Sequence, residues 1–224
     1  MIDILVPILG RPPNAMLRSL EFSSTEKFQV YLICSPGDSH YDLCLATGYP
    51  SFRMDWEAGP GDFAKKINWA FEHSDGDWCF NAADDLRFHP GWDVAALRAS
   101  TRVVGTNDLH SPAVQTGRHA THILFARSYI CEYGGTFDDT GAVFSETYDH
   151  QFVDNEFVET AKVRSEWSFA RDSVVEHLHP VWGKASWDAT YEKAFRATKE
   201  DTALYQARMN TFRRHRRSDI LPTR

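Results

Sequence analysis

Apolar and polar positions fall into short blocks along the first half of the chain. Ile2 to Leu9 is a nearly continuous apolar run that stops at Gly10, and Arg11-Pro12-Pro13 then leads into the helix-like stretch Asn14 to Phe22. A run of that length bounded by turn residues predicts a buried strand, a turn and a helix. The pattern recurs. Phe28 to Cys34 is rich in β-formers and ends at Ser35-Pro36-Gly37-Asp38, Gly61 to His73 sets Phe63, Ile67, Ala70 and Phe71 on one helical face, and Asp77 to Asn81 returns to strand. Such alternation predicts an α/β fold with a mostly parallel central sheet flanked by helices. The second half is less regular, with strands expected at Arg102 to Thr106, His122 to Ala126 and Val174 to His177. Helices are expected at Asp149 to Ala161 and from Trp187 to about Arg214. No repeat or low-complexity tract interrupts the chain. The division that follows is a single α/β domain over 1–185, with a C-terminal helix and basic tail over 186–224 packed on it.

Composition narrows the class. The 224 residues are 42% hydrophobic and 13% aromatic, enough for one core. No run approaches the ~18 to 20 apolar residues of a membrane span, and Met1 to Pro7 enters a strand pattern without a basic region or cleavage site. A cytoplasmic protein with no membrane insertion is the expectation. Cys34, Cys44, Cys79 and Cys131 form no CxxC pair, and three of them sit among apolar neighbours, so buried free thiols are expected. The net charge of -7 argues against coating nucleic acid by charge alone. Yet Arg208 to Arg224 holds six arginines against the single Asp219. That cluster, Arg208, Arg213, Arg214, Arg216 and Arg217, reads either as a solvated helix end or as a patch that steers an anionic acceptor.

Candidate chemistry gathers where strands end. Ligands of open α/β sheets bind beyond the carboxyl ends of the strands, so Pro7 to Pro12, Pro36 to Asp38 and Ala82 to Arg87 should converge on one crevice. In Trp78-Cys79-Phe80-Asn81-Ala82-Ala83-Asp84-Asp85 an apolar strand runs into two adjacent carboxylates. Such acids repel each other unless a cation lies between them or they face different partners, and divalent Mn²⁺ and Mg²⁺ favour carboxylate oxygen. The alternative is that Asp84 caps the next helix and Asp85 is solvated. Val174-Val175-Glu176-His177-Leu178-His179 ends in histidines at i and i+2, on one face of a strand, which favours His177, with His179 close behind, as a metal ligand.

The segment Gly76 to Trp92 resembles the family-2 glycosyltransferases and their GT-A relatives. Their DXD element ends a central strand and is followed by an apolar residue and a Pro-Gly-Trp-like turn, here Leu86 and Pro90-Gly91-Trp92. By that resemblance Asp85 ligates the metal and Asp84 faces the ribose or sugar, while Ala83 stands where a three-acid version has its first acid. Ile4-Leu5-Val6-Pro7 and Arg11 resemble the first strand and its nucleotide-contacting loop, and Asp38 the acid that reads the base or ribose. Lys66 and Asn68 resemble the basic residue and Asn of a nucleotide-facing helix, with Ile67 intervening; the other reading is an amphipathic helix with solvated lysines. Tyr133-Gly134-Gly135-Thr136-Phe137-Asp138 resembles a Gly-Gly-Phe-Asp turn before a helix with an acidic catalytic residue. Asp149, Asp154, Glu156 and Glu159 are candidates there, and Asp154 best matches the family's Glu-Asp element.

The resemblance covers roughly residues 2 to 180. It implies a GT-A (Rossmann-like) fold, Mn²⁺ or Mg²⁺, and a nucleotide-sugar donor, UDP-sugar first. It further implies inverting transfer to an acceptor hydroxyl on a glycan or a protein, with Asp154 as base, while a hydroxylated DNA base is the acceptor that the basic tail suggests and the resemblance only permits. Two other readings remain. A sugar-phosphate nucleotidyltransferase shares the layered fold, but Gly10-Arg11-Pro12-Pro13 is short and proline-rich for a phosphate cradle. A non-catalytic module of the same fold could bind a nucleotide or sugar without turnover.

Overall fold

A computed structural model describes residues 1–220, with side chains described through Arg214. In chain order the elements are β1 (Ile2–Ile8), α1 (Asn14–Ser23), β2 (Phe28–Cys34), α2 (Tyr41–Ala46), β3 (Ser51–Arg53), α3 (Asp62–Glu72), β4 (Trp78–Asn81), β5 (Leu86–Phe88) and α4 (Trp92–Leu97). They continue with β6 (Val103–Asn107), α5 (Pro112–Gln115), β7 (Ile123–Ala126), α6 (Arg127–Tyr133), α7 (Val153–Val163), β8 (Trp167–His177), α8 (Ala189–Arg196) and α9 (Thr198–Ile220).

The eight strands form one sheet in the order β3-β2-β1-β4-β7-β6-β8-β5. The first half is parallel, as the strand–helix alternation predicts, with β1 paired to β2 and β4, and β2 to β3. The sheet as a whole is mixed, because β7 runs antiparallel to both β4 and β6 while β8 lies parallel to β6. Side chains of β1 alternate between two cores. Leu5 joins Ile33, Ile67, Phe125 and Phe157 on one face, and Ile4 and Val6 join Leu20, Leu32, Phe80 and Trp92 on the other. Burial on both faces is why the run reads as continuously apolar.

Several boundaries differ from the sequence pattern. β8 starts at Trp167, seven residues before the expected Val174, with exposed Arg171 and Asp172 masking it and a register shift against β6 at Thr106 and Asn107. The helix expected from Asp149 begins at Val153, because the buried Asp201 carboxylate accepts the backbone N–H groups of Asp149, His150 and Gln151 and holds them in a turn. The expected C-terminal helix is two helices, α8 and α9, separated at Ala197. Within α9, Arg208 donates to Glu156 at 2.8 Å and to Asp138 at 2.8 Å. It therefore clamps α9 to the body and is not part of a free basic surface. Arg213 and Arg214 are exposed, and the side chains of Arg216 and Arg217 lie outside the described residues. Cys34, Cys44 and Cys79 are buried free thiols and Cys131 is exposed. No described helix is long and apolar enough to cross a membrane.

The Gly134-Gly135 turn packs backbone on backbone. Gly135 donates to the Ala142 carbonyl at 2.7 Å, and a Cβ on Gly135 would lie 2.0 Å from the Val143 carbonyl oxygen. A backbone atom cannot rotate away as a side chain can. Gly135→Ala is therefore expected to cost about 2 kcal/mol or more, a fall in Tm of about 4–8 °C, read by thermal melting. An unchanged Tm would mean that the 142–143 segment yields freely.

Candidate active site

One cleft opens beyond the carboxyl ends of β1 and β4. Its walls include Pro7, Arg11, Lys66, Asp84, Asp85, Asp154, His177 and His179. The short strand β5 explains how acids and histidine meet. Leu86 pairs with His177 across the antiparallel β5–β8 ladder, and Leu178 donates its N–H to the Asp85 carbonyl at 2.9 Å. The residue after β4 that bears the carboxylate is thus set beside the end of β8.

Around the acids the polar network is dense. His177 Nε2 lies 3.2 Å from Asp85 Oδ2, and the Tyr191 hydroxyl donates to the same oxygen at 2.7 Å. Arg11 Nε is 3.0 Å from Asp84 Oδ1 and its Nη1 is 3.8 Å from Asp85, with the guanidinium stacked 4.1 Å over the Tyr191 ring. Burial would raise Asp85, but His177, Arg11 and Tyr191 hold its carboxyl well below the usual carboxylate range. Asp84 goes the other way. Its burial outweighs Arg11 and is reinforced by Asp85, so its pKa is pushed up to about 7. Burial lowers His177, and the Asp85 charge more than reverses this, raising it.

Asp84 Oδ1 and Asp85 Oδ1 are buried and accept no hydrogen bond, although Asp84 Oδ1 is ion-paired with Arg11 Nε. Two such carboxylates beside an imidazole suit a hard divalent cation. Among the described residues no three His, Cys, Asp or Glu side chains converge as a complete metal cage. The arrangement fits a cation held through one or two carboxylates and shared with phosphate oxygens, the usual mode for Mg²⁺-like ions.

His177 and His179 differ in availability. His179 Nδ1 accepts the Val181 N–H at 3.1 Å, capping the 3₁₀ turn Pro180–Trp182, so the neutral ring carries its proton on Nε2 and offers no free lone pair. Burial depresses it to about 4. Of the two, only His177 touches Asp85. Asp154, in the first turn of α7, has His119 Nε2 3.2 Å from Oδ2. Burial alone would raise its pKa, but the His119 contact and the Asn155 N–H bring it below the ordinary value. Asp149 also lines the cleft, whereas Glu156 is held by Tyr148 and Arg208, and Glu159 by Lys162.

Other expected residues lie nearby in supporting positions. Lys66 is fully buried, and its ammonium reaches the Ile8 carbonyl, Ser35 Oγ and Asp62 at 2.7–2.9 Å, so it is neither solvated nor unpartnered. Asp38 accepts the Gly10 N–H at 2.8 Å and the His40 N–H at 2.8 Å, which fixes the loop carrying Arg11 and leaves Asp38 outside the cleft wall. The Asn68 amide is spent on the backbone of Val143 and Phe144 and on Glu146, again away from the cleft. Tyr191, His119 and His122 are site residues that the periodicity does not single out. Tyr191 has no local signature, while His122 immediately precedes β7, whose antiparallel course sets its start beside the end of β4.

The raised Asp84 pKa has a sign that can be checked. Between the ordinary carboxylate value and about 7 the folded protein keeps a proton that the unfolded chain has lost, so this contribution to stability is lost as pH rises through that window. Asp84→Asn stays neutral throughout. With chelator present, the Tm of the variant should gain on wild type from pH 5 to about pH 7 and level off above that; a pH-independent difference would contradict the shift.

No family model and no curated protein matches the sequence. Solved structures do match. Residues 1–349 of S. aureus TarS in complex with UDP align at TM-score 0.57 and 15% identity, over 78% of this chain and 59% of that one. The mannosyltransferase PcManGT from Pyrobaculum calidifontis, with GDP-Man and Mn²⁺, aligns at 0.57 and 15%, over 80% and 57%. Glucosyl-3-phosphoglycerate synthase from Mycobacterium tuberculosis, with Mn²⁺, UDP-glucose and phosphoglyceric acid, aligns at 0.60 and 11%, over 93% and 79%. This chain therefore spans less than two thirds of the TarS and mannosyltransferase chains. At these identities the likeness is one of architecture, and the architecture is that of the GT-A glycosyltransferases.

Proposed function

We propose that this chain is a glycosyltransferase that moves a sugar from a nucleotide-sugar, a UDP-sugar first, to an acceptor hydroxyl with inversion. The observation that carries the reading is one cleft lined by the buried carboxylates of Asp84 and Asp85, each with an oxygen that accepts no hydrogen bond, and by Asp154. The similar folds in complex with UDP, UDP-glucose and GDP-Man support the donor class.

Asp85 and His177 are the residues that would hold Mn²⁺ or Mg²⁺ together with the diphosphate. When bound, the cation supplies Lewis-acid stabilisation of the departing diphosphate. Arg11, already beside both acids, offers its guanidinium to phosphate oxygen. Asp84 would accept from a ribose or sugar hydroxyl. Asp154, kept deprotonated by His119, takes the proton of the acceptor hydroxyl as its oxygen bonds to the anomeric carbon, and the electron pair of the broken bond leaves on the diphosphate. Calorimetry of UDP and GDP with and without Mn²⁺, followed by turnover of a UDP-sugar panel against glycan, protein and hydroxylated-base duplex acceptors, tests this. Metal-dependent UDP binding is the expected result; absence of binding by either nucleotide would overturn the reading.

A further inference from the structure

We propose that His122 is a fixed hydrogen-bond acceptor that reads one hydroxyl of the sugar being transferred. The inference rests on the glycosyltransferase reading and assigns a specificity-determining residue to its donor subsite. His122 is 3% exposed and lines the cleft. Its Nδ1 lies 3.1 Å from the Asn81 carbonyl oxygen, which can only accept, so Nδ1 carries the proton and the lone pair of the neutral ring is on Nε2. That Nε2 is buried and has no partner. An orphaned buried acceptor costs free energy in the folded protein, which a ligand able to donate to it recovers on binding.

The ring is held from several sides. Asn81, the last residue of β4, donates through Nδ2 to the Thr121 carbonyl at 3.0 Å and accepts the Ile123 N–H at 2.7 Å, gripping the chain on either side of His122. The Thr106 hydroxyl and N–H both donate to the His122 carbonyl, at 2.8 and 3.2 Å. Asn81 is also three residues before Asp84, so one side chain ties the position of the imidazole to that of the acid pair. The His122 ring stands 5.0 Å from His177, and His122 lines the same cleft as Asp85 and Asp154. In a direct displacement the sugar lies between the leaving diphosphate and the base. A group near both walls faces that sugar, and sugar O–H groups are the donors an acceptor there can read. A neutral imidazole with this tautomer would also suit a cation. The lack of a third converging ligand among the described residues favours the hydroxyl.

The test compares wild type with His122→Asn and His122→Gln. Asparagine keeps an N–H near the Nδ1 position for the Asn81 carbonyl and removes the Nε2 acceptor, while glutamine places an amide oxygen near Nε2. Thermal melts establish that both variants fold. Calorimetry then measures Mn²⁺, UDP with Mn²⁺, and UDP-glucose, UDP-galactose and UDP-GlcNAc with their monodeoxy analogues. Wild type should bind one monodeoxy analogue about 10-fold more weakly than its parent. In His122→Asn that discrimination should collapse to within about 2-fold, with UDP–Mn²⁺ affinity unchanged, and His122→Gln should restore part of it. Discrimination that survives in a folded His122→Asn overturns the inference, as does a loss of Mn²⁺ or UDP–Mn²⁺ affinity in that variant, which would make the imidazole a cation ligand. Failure of wild type to bind UDP sinks the glycosyltransferase reading and this inference with it, whereas normal UDP binding with unaltered discrimination sinks this inference alone.

Discussion

Asp85→Asn is expected to abolish metal-dependent UDP binding and to lower turnover by about 10³-fold or more, with the fold intact. The amide is nearly isosteric and can still accept from Tyr191, and the Leu178 N–H to carbonyl bond that seats residue 85 is a backbone contact the substitution does not touch. What disappears is the negative charge. Asp85 is held ionised by His177 and Arg11, and its other oxygen is buried without a partner. Among the described residues, Asp85 is the carboxylate that stands against His177 at hydrogen-bond distance. Asp84 stands against Arg11 rather than His177 and does not take its place. Calorimetry of UDP with and without Mn²⁺, beside a thermal melt, makes the measurement. Wild-type turnover, or wild-type metal-dependent UDP affinity, would remove Asp85 from the cation.

Asp154→Asn is expected to lower kcat by about 10²-fold or more and to leave donor affinity nearly unchanged. Its carboxylate faces the cleft from α7, whereas Arg11, Asp84 and Asp85 come from the loops after β1 and β4. A neutral amide there can still accept the Asn155 N–H and cannot take a proton. The depressed pKa sets the pH dependence. Asp154 stays ionised across neutral pH, and any limb of kcat that it controls falls only below the ordinary carboxylate value. The Asn variant should lack that limb. Glu156 and Glu159 are engaged by Arg208 and Lys162, which leaves Asp149 as the other cleft carboxylate on this wall. A 10²-fold loss in Asp149→Asn with Asp154→Asn spared would move the base to residue 149.

The legible part of the fold was local. Continuous apolar runs at Ile2–Ile8 and Phe28–Cys34 and the helical face of Phe63, Ile67, Ala70 and Phe71 report burial directly, because a strand covered on both faces has no polar period to hide it. β5 was not legible at three residues, and β8 was legible only over its last turns of sequence, where the exposed Arg171 and Asp172 give way to Ser173 and Val175. Helix α7 starts late because Asp201, fifty residues on, captures the N–H groups that would have begun it. No window of local sequence contains that carboxylate.

By itself, then, the sequence determined the α/β class, the parallel first half of the sheet, and the presence of two adjacent acids at a strand end and two histidines at another. Those features follow from periodicity and residue chemistry, which act over a few residues. Only the tertiary structure decided which groups meet and which are already engaged. The β5–β8 pairing sets His177 on Asp85, while Val181 occupies the lone pair of His179. Lys66, Asp38 and Asn68 find partners that make them braces around the cleft, and Arg208 is drawn into a buried clamp with Glu156. The orphaned nitrogen of His122 depends on an Asn81 carbonyl forty-one residues away. Hydrogen-bond satisfaction is settled within about 3 Å in space, and distance along the chain carries no record of it.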